Sequence, residues 1–547
     1  MSVKQRIFLP NFVGNQVGRK IRVKRPGDFF QKGIDYLSAA LLGTVIILVV
    51  FFSNVPRYIS KSFLLPNGTL VLIAVGGWLL FVGACRFISE KRHLRLPSDE
   101  EGGEKQHIVD RAVVGLCVCL FFVQLYICYN IFFVTGWDPG TIWATALARV
   151  EGEVWNEMYF SRYPNNLLLL LLETALIKIH NMVGILPKEY APMACIALDY
   201  AAITLACYFT YRELCLVTKK RYAVVGFLLC TVLAGLSPWM CVPYSDSFGI
   251  LFPILSLYLY STPRKTKWGA YWGKSAAVCV GCIGYYMKPQ CVIPVIAIFC
   301  VELVRALQQK SLRMGGNLLP LLAVALLTMN LTGSLLTWKY ESNGAVLDPE
   351  KKFGAAHFLM MGLDEKTNGV FDAKDVGFSE SFVLANERNR ADLTAALDRI
   401  RQMGPGRYCI QLVKKLLIGY SDGTFSWGVE GTFYKDMREE VNGWMSLRLR
   451  ALFYSTGSKY PLLALAEQAA WSCVLLFAGI FELISAGKKN NPGTDVMKLT
   501  VLGAVLFMML FETRARYTFL NVPIFCALAV QGMAALEDLF LKRRKKL

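Results

Sequence analysis

Apolar residues fall in long unbroken blocks, separated by short polar connections in which lysine and arginine dominate. The blocks lie near Tyr36–Val55, Thr69–Phe87, Ala112–Val134, Met193–Glu213, Tyr222–Met240, Phe248–Ser261, Ser275–Met287, Cys291–Val304, Leu318–Trp338, Leu462–Ala486, Leu499–Phe511 and Phe519–Leu539. A helix needs roughly 20 apolar residues to cross the hydrocarbon core of a bilayer, and most of these blocks approach that length. Their apolar positions are continuous and do not alternate with period two, so the pattern predicts transmembrane helices and excludes a membrane β-barrel. A further run, Leu167–Ile179, follows Asn165 and Asn166.

The basic residues decide how that run is read. Lys4, Arg6, Arg19, Lys20, Arg22, Lys24 and Arg25 place the N-terminus in the cytoplasm under the positive-inside rule. Three spans then put Thr135–Asn166 outside. If Leu167–Ile179 does not cross, the clusters Lys219–Arg221, Arg264–Lys267, Arg305–Arg313, Lys488–Lys489 and Lys542–Lys546 all fall inside. If it crosses, all of them move outside. The rule therefore favours about 12 transmembrane helices, with Leu167–Ile179 lying in or re-entering the outer leaflet. Glu173 and Lys178 fit an interfacial helix better than a buried one. The fold class expected is an all-α polytopic membrane protein with an extracytoplasmic α or α+β insert. Residues 1–35 form a basic cytoplasmic tail. Residues 36–338 form a transmembrane bundle with an external loop at 135–192. The insert spans 339–460, with helical spacing over Arg388–Met403, and 461–547 supplies the last spans and a basic cytoplasmic tail. Ser98–Glu104 reads as a cytoplasmic loop.

Composition agrees. The 547 residues are 54% hydrophobic and only 18% charged, and the mean hydropathy is +0.41. A soluble enzyme, a disordered chain and a fibrous protein are excluded. The formal net charge of +19 sits between spans and at the termini, which argues for membrane topology and not for a nucleic-acid partner. Most of the 16 cysteines lie in apolar runs and act as small hydrophobes. No CxxC pair stands beside a His-containing partner pair, so no structural zinc site is expected. The basic N-terminus lacks the small-residue cleavage site of a removed signal peptide.

Four short elements carry chemistry. Thr135-Gly136-Trp137-Asp138-Pro139-Gly140 follows the third run directly. Asp138 there can act as a general base or hold a divalent ion, and the same residues also satisfy a plain turn. Arg162 and Tyr163 further on can bind a phosphate or a sugar hydroxyl. Pro243-Tyr244-Ser245-Asp246-Ser247 places Asp246 at a helix start, where capping alone would account for it. Lys288, in Tyr286-Met287-Lys288-Pro289, follows an apolar run of about 13 residues, which rises about 20 Å and falls short of the ~30 Å core. A lysine so placed either snorkels or lines a cavity that holds an anion. Glu512-Thr513-Arg514-Ala515-Arg516-Tyr517 sits between the last two runs, outside by parity, against the general basic bias. Two arginines there can grip a phosphate; an ion pair of Glu512 with a neighbouring arginine is the plainer account.

In this order, Asp138, Asp246 and the Glu-x-Arg-x-Arg-Tyr turn of Glu512, Arg514, Arg516 and Tyr517 resemble the polytopic glycosyltransferases of the C-type fold (GT-C). More narrowly they resemble bacterial relatives of the protein O-mannosyltransferase and lipid A aminoarabinose transferase families. The resemblance covers the chain from Ala112 onward. It implies a GT-C-like fold and an enzyme that moves a sugar, with inversion, from a polyprenyl-phosphate carrier to an envelope glycan, lipid or protein. Asp138 and Asp246 would be catalytic. Lys288, Arg514, Arg516, Tyr517, Arg162 and Tyr163 would bind the lipid phosphate and donor, and His357, Trp427 and Glu512 would shape the acceptor pocket. The implied site is extracytoplasmic in the cell membrane, with both termini cytoplasmic. The partners implied are the lipid-linked sugar donor, membrane lipid and the envelope acceptor, with no nucleic acid. The loop departs from the family in lacking a second acid beside Asp138. No cofactor is therefore required, and a divalent cation, Mg or Mn, stays open. Two spans also precede the run leading into Asp138, where the simplest members have none. His357 and Trp427 are equally readable as core residues of the insert. A lipid-linked glycan flippase or transporter, and an envelope-glycan polymerase or ligase using a diphosphate carrier, remain alternatives. A transferase should converge Asp138, Asp246 and Arg514 on one pocket, whereas a transporter should gather its charges at the midplane.

Overall fold

The computed structural model describes residues 26–52, 64–92, 102–131, 133–134, 136–184, 191–309, 318–430, 436–437 and 443–544. The tail lysines and arginines before residue 26, Lys310, Arg313, Lys545, Lys546, Thr135 and most of Ser98–Glu104 lie outside the described residues.

The chain is a helical membrane protein. Its helices in order are α1 Pro26–Phe51, α2 Asn67–Arg92, α3 Gly102–Ile131, α4 Trp137–Val150, α5 Glu157–Arg162, α6 Leu167–Val183, α7 Ala191–Val217, α8 Lys220–Cys230, α9 Ser245–Gly249, α10 Leu251–Ser261, α11 Lys267–Tyr285, α12 Ile293–Gln309 and α13 Leu318–Glu341. There follow α14 Ala355–Gly362, α15 Ala373–Glu380, α16 Ala385–Tyr420, α17 Trp444–Phe453, α18 Tyr460–Ser485, α19 Pro492–Leu510, α20 Arg516–Phe519 and α21 Val522–Arg544. Among the described residues, 10 helices are long and apolar enough to cross a membrane.

Nine of these correspond to expected spans, and the tenth, Pro164–Val183, contains the run expected to lie in the interface. Of the other three expected spans, Tyr222–Met240 and Phe248–Ser261 are helical but interrupted, and Ser275–Met287 falls in the second half of the continuous helix α11 and the turn that ends it. After Cys230 the helix α8 widens into a π-turn over Thr231–Gly235 and then tightens into a 3-10 turn over Pro238–Cys241. Pro238 and Pro243 lack a backbone donor, so the α-helical ladder cannot continue through them. Breaks at α9, α10 and the end of α11 likewise leave backbone groups to be satisfied by protein, which is how irregular backbone persists inside a membrane protein. α6 also differs from expectation on one face. Lys178 is exposed, but Glu173 is fully buried beside Leu169, Leu170 and Ile177. Its neighbours on the enclosed face come from α4 and α7, which pack along α6.

The insert is helical among its described residues apart from a short strand, Asp436–Met437, which pairs antiparallel with Phe133–Val134 of the segment leading into α4. Arg388–Met403 lies in α16, which kinks where Gly404 adopts φ 63° ahead of Pro405. That left-handed conformation favours glycine, and the proline ring blocks the preceding turn. Met360, Leu363, Ala396 and Met403 form a small core. Buried Arg388 donates to the carbonyls of Ser379 (2.9 Å), Glu350 (2.7 Å) and Phe382 (2.6 Å). The insert is stapled to the bundle just after α19. Glu512 N–H donates to Phe358 O (3.1 Å) and Thr513 N–H to Gly369 O (2.9 Å), and Lys415 Nζ donates to Gly362 O and Phe511 O, each at 2.7 Å.

Two polar ties fasten α1 and α2 to the bundle. Lys498 Nζ lies 2.7 Å from Asp35 and 3.3 Å from Glu482, all three buried. Gln468 donates to Asn67 (2.7 Å) and to Ser421 O (2.8 Å), and accepts from Gly423 N–H (2.5 Å).

Candidate functional site

Asp138 stands in the first turn of α4, where the helix dipole favours a carboxylate. The residue before it, Trp137, holds φ 46°, an uncommon conformation for a bulky side chain that persists only where its surroundings enforce it. They do so here: the Trp137 ring meets Tyr244 edge-on at 5.3 Å, and the Arg516 guanidinium lies over it at 4.3 Å. Tyr244 donates its hydroxyl to Asp138 at 3.0 Å. The Tyr159 hydroxyl also interacts with Asp138 and accepts from Asn166 at 2.7 Å. Burial first, and then the Asp138 charge, hold the Tyr159 hydroxyl well above its ordinary titration range, so it stays a proton donor.

Asp246 lies in the short helix α9, whose first turn is closed by Ser247. Its carboxylate pairs with Lys288, and Arg516 Nε approaches it at 3.6 Å. Lys288 emerges at the break between α11 and α12, and its ammonium also rests 4.2 Å over the Tyr517 ring. The closing turn brings the remaining charges. Arg514 pairs with Glu512 (Nε–Oε1, 3.1 Å) and with Glu430 (Nη1–Oε1, 3.1 Å). Arg516 reaches the other Glu430 oxygen (Nη1–Oε2, 3.3 Å). Burial opposes the Arg516 charge, but Glu430 and Asp246 more than offset it and hold the guanidinium firmly protonated.

The structure thus brings Asp138, Asp246, Lys288, Glu512, Arg514, Arg516 and Tyr517 into one cluster. Tyr163 joins its margin, tilted against Tyr159 with ring centroids 5.2 Å apart. Three expected residues are not part of it. Arg162 is paired with Glu380 at 2.7 Å. His357 is fully buried, stacked on Phe353 at 4.3 Å and bonded through Nδ1 to Ser379 Oγ at 2.7 Å. Burial pushes its imidazole down to about 4, so it is neutral at physiological pH. Trp427 is enclosed against Trp239 and donates to Phe453 O at 2.9 Å. Enclosed side chains of this kind cannot reach an acceptor, and both residues serve as core.

Sequence reasoning missed Glu430, Tyr159 and the structural part of Trp137 and Tyr244. A signal for Glu430 existed in charge balance, since Arg514 and Arg516 have one acid, Glu512, in their own turn. Three of the four carboxylates at the site already have cationic partners in place of Mg or Mn. Asp246, Glu430 and Glu512 are each engaged by basic side chains, and among the described residues no group of three or more His, Cys, Asp or Glu could hold a metal ion.

The chain is thus a many-helix membrane protein that gathers four carboxylates and three cations between its bundle and its insert. The chain belongs to the family described as "Conserved hypothetical integral membrane protein", whose model matches residues 103–535. No curated protein matches it. Among solved structures it is similar to ArnT from Cupriavidus metallidurans in the apo state, at 11% identity and a TM-score of 0.31, covering 79% of this chain and 78% of that one. It is also similar to the same protein bound to undecaprenyl phosphate, at 13% identity and a TM-score of 0.31, covering 77% of each chain.

Proposed function

We propose that the chain is a membrane glycosyltransferase that moves a sugar from a polyprenyl-phosphate carrier to a cell-envelope acceptor on the outer face of the membrane, with inversion. The observation that carries this reading is the convergence of Asp138, Asp246 and Arg516 around Trp137 and Tyr244, with Arg514 joined to Arg516 through Glu430. A polyprenyl carrier needs its phosphate met by cations beside the bundle, and an acceptor hydroxyl needs a base nearby. Both requirements are met by neighbouring side chains.

In this mechanism Asp138 takes the proton of the acceptor hydroxyl as its oxygen attacks the anomeric carbon. The bond from that carbon to the phosphate oxygen breaks on the opposite side, and the carrier leaves as a polyprenyl phosphate. Arg514, Arg516 and Lys288 meet the charge that grows on the leaving phosphate, where fixed cations contribute most. Asp246 positions Lys288 and Arg516. Tyr244 and Tyr159 orient Asp138.

The test is transfer of radiolabelled sugar by purified protein in nanodiscs, from a panel of polyprenyl-phosphate sugars. Undecaprenyl phosphate, the lipid named for the bound neighbour, is the first carrier to try. Wild type should transfer or hydrolyse one donor, and Asp138→Asn should be folded and inactive. Normal transfer by Asp138→Asn would remove that residue from the mechanism.

A further inference from the structure

The cations of the site are already in use. Arg514 is shared between Glu430 and Glu512, Arg516 between Glu430 and Asp246, and Lys288 is paired with Asp246. Counting Asp138, four carboxylates stand among three cations. A phosphate added without any departure would worsen that imbalance in a poorly solvated place, where like charges repel strongly. One carboxylate must give way.

Glu430 is the one built to do so. Asp246 is pinned by Lys288 on a closed helical turn with its side chain 4% exposed. Glu512 is fixed by its own N–H to Phe358 and by the next residue's N–H to Gly369. Glu430 ends a turn whose N–H donates to Ser426 O at 3.0 Å, and its side chain is the most exposed of the three at 13%. Its two oxygens also face the two arginines one apiece, the fork geometry that a phosphate would adopt.

We infer that Glu430 occupies the seat of the phosphate, and that the site takes its lipid phosphate by exchanging this carboxylate for it. The inference rests on the transferase reading and adds a role in turnover. A donor sugar phosphodiester carries one negative charge, so it exchanges with Glu430 without change of charge. The product monoester carries about −1.5 to −2 at neutral pH and holds the arginines more tightly. Glu430 competes for the same arginines and helps to expel it.

The test uses the full chain in nanodiscs. Glu430→Gln should bind undecaprenyl phosphate about tenfold more tightly than wild type, within the range usual for coupled sites. In transfer assays it should lower kcat and KM together, because product release slows. Equal or weaker binding by Glu430→Gln would overturn the inference and make Glu430 a strut for the arginines. A second measurement needs no variant: carbodiimide labelling of Glu430 in wild type, read by peptide mass spectrometry. Labelling should rise when undecaprenyl phosphate is added, and unchanged or reduced labelling would overturn the exchange. Inorganic phosphate in excess separates the sources. If it also raises labelling, the headgroup alone suffices; if only the lipid does, the polyprenyl chain is needed to deliver it. Exposure of Glu430 by lipid phosphate in a protein that transfers no sugar would sink the transferase reading and leave the exchange standing. Transfer without exposure would do the reverse.

Discussion

Lys415 offers a test whose size can be worked out in advance. Its ammonium is buried where the insert meets the end of α19, donating to Gly362 O and Phe511 O. Burial pushes it down to about 7 from an ordinary 10.5, against the opposing pull of Glu512. Between pH 7 and about 10.4 the unfolded chain holds a proton here that the folded chain does not, so stability rises with pH across that window. Each pH unit is worth about 1.4 kcal/mol once the folded group is mostly neutral, and from pH 7.5 to 9 the gain is about 2 kcal/mol. A neutral amine keeps two N–H groups, so both carbonyl bonds survive deprotonation. Lys415→Met abolishes the titration. The free energy of unfolding, followed by tryptophan fluorescence in mild detergent, should therefore climb more steeply with pH in wild type than in Lys415→Met, by about 2 kcal/mol over that interval. Parallel profiles would refute a depressed Lys415 and the idea that this staple loosens in acid.

Tyr244→Phe removes the hydroxyl that donates to Asp138 while keeping the ring on Trp137. A hydrogen bond to a charged group is worth about 1.5–3 kcal/mol, so kcat should fall about 10- to 100-fold with little change in KM, measured by the same sugar-transfer assay. Lys498→Met strands the buried carboxylates of Asp35 and Glu482. Breaking a buried pair from one side costs about 3–5 kcal/mol, and the paired change Asp35→Asn with Lys498→Met should recover part of it in thermal unfolding.

Much of the bundle was legible because burial in lipid demands continuous apolar runs, and runs such as Leu318–Trp338 and Leu462–Ala486 can hardly be read otherwise. The interruptions were less so. Tyr222–Met240 looks like one block, yet its end is set by Pro238 and by a widened turn over Thr231–Gly235 that no residue in the run announces. The charged site was legible where charge runs against the sidedness expected from span parity, as at Arg514 and Arg516, or at a helix break, as at Lys288. Arg162 and His357 misled because their chemistry is decided by Glu380 and Ser379, distant partners in the insert that no local spacing announces. Glu430 escaped for the same reason, since it lies far along the chain from both arginines. Glu173 shows the converse limit: an acid in an apolar run says that something unusual occurs, but only packing tells which face it takes.

The pair α1–α2 stands before residue 103, where the family model begins. Both helices are long and apolar enough to cross, and two is an even number. A pair of crossings returns the chain to the side it left, so every later helix keeps its sidedness whether or not the pair is present. Such an addition is silent for topology, yet it is not silent for the interior. Through Asn67 and Gln468 it grips Ser421 and Gly423, the start of the turn that ends at Glu430. An accessory hairpin can in this way tune a site that it never faces, by bracing it from the rear.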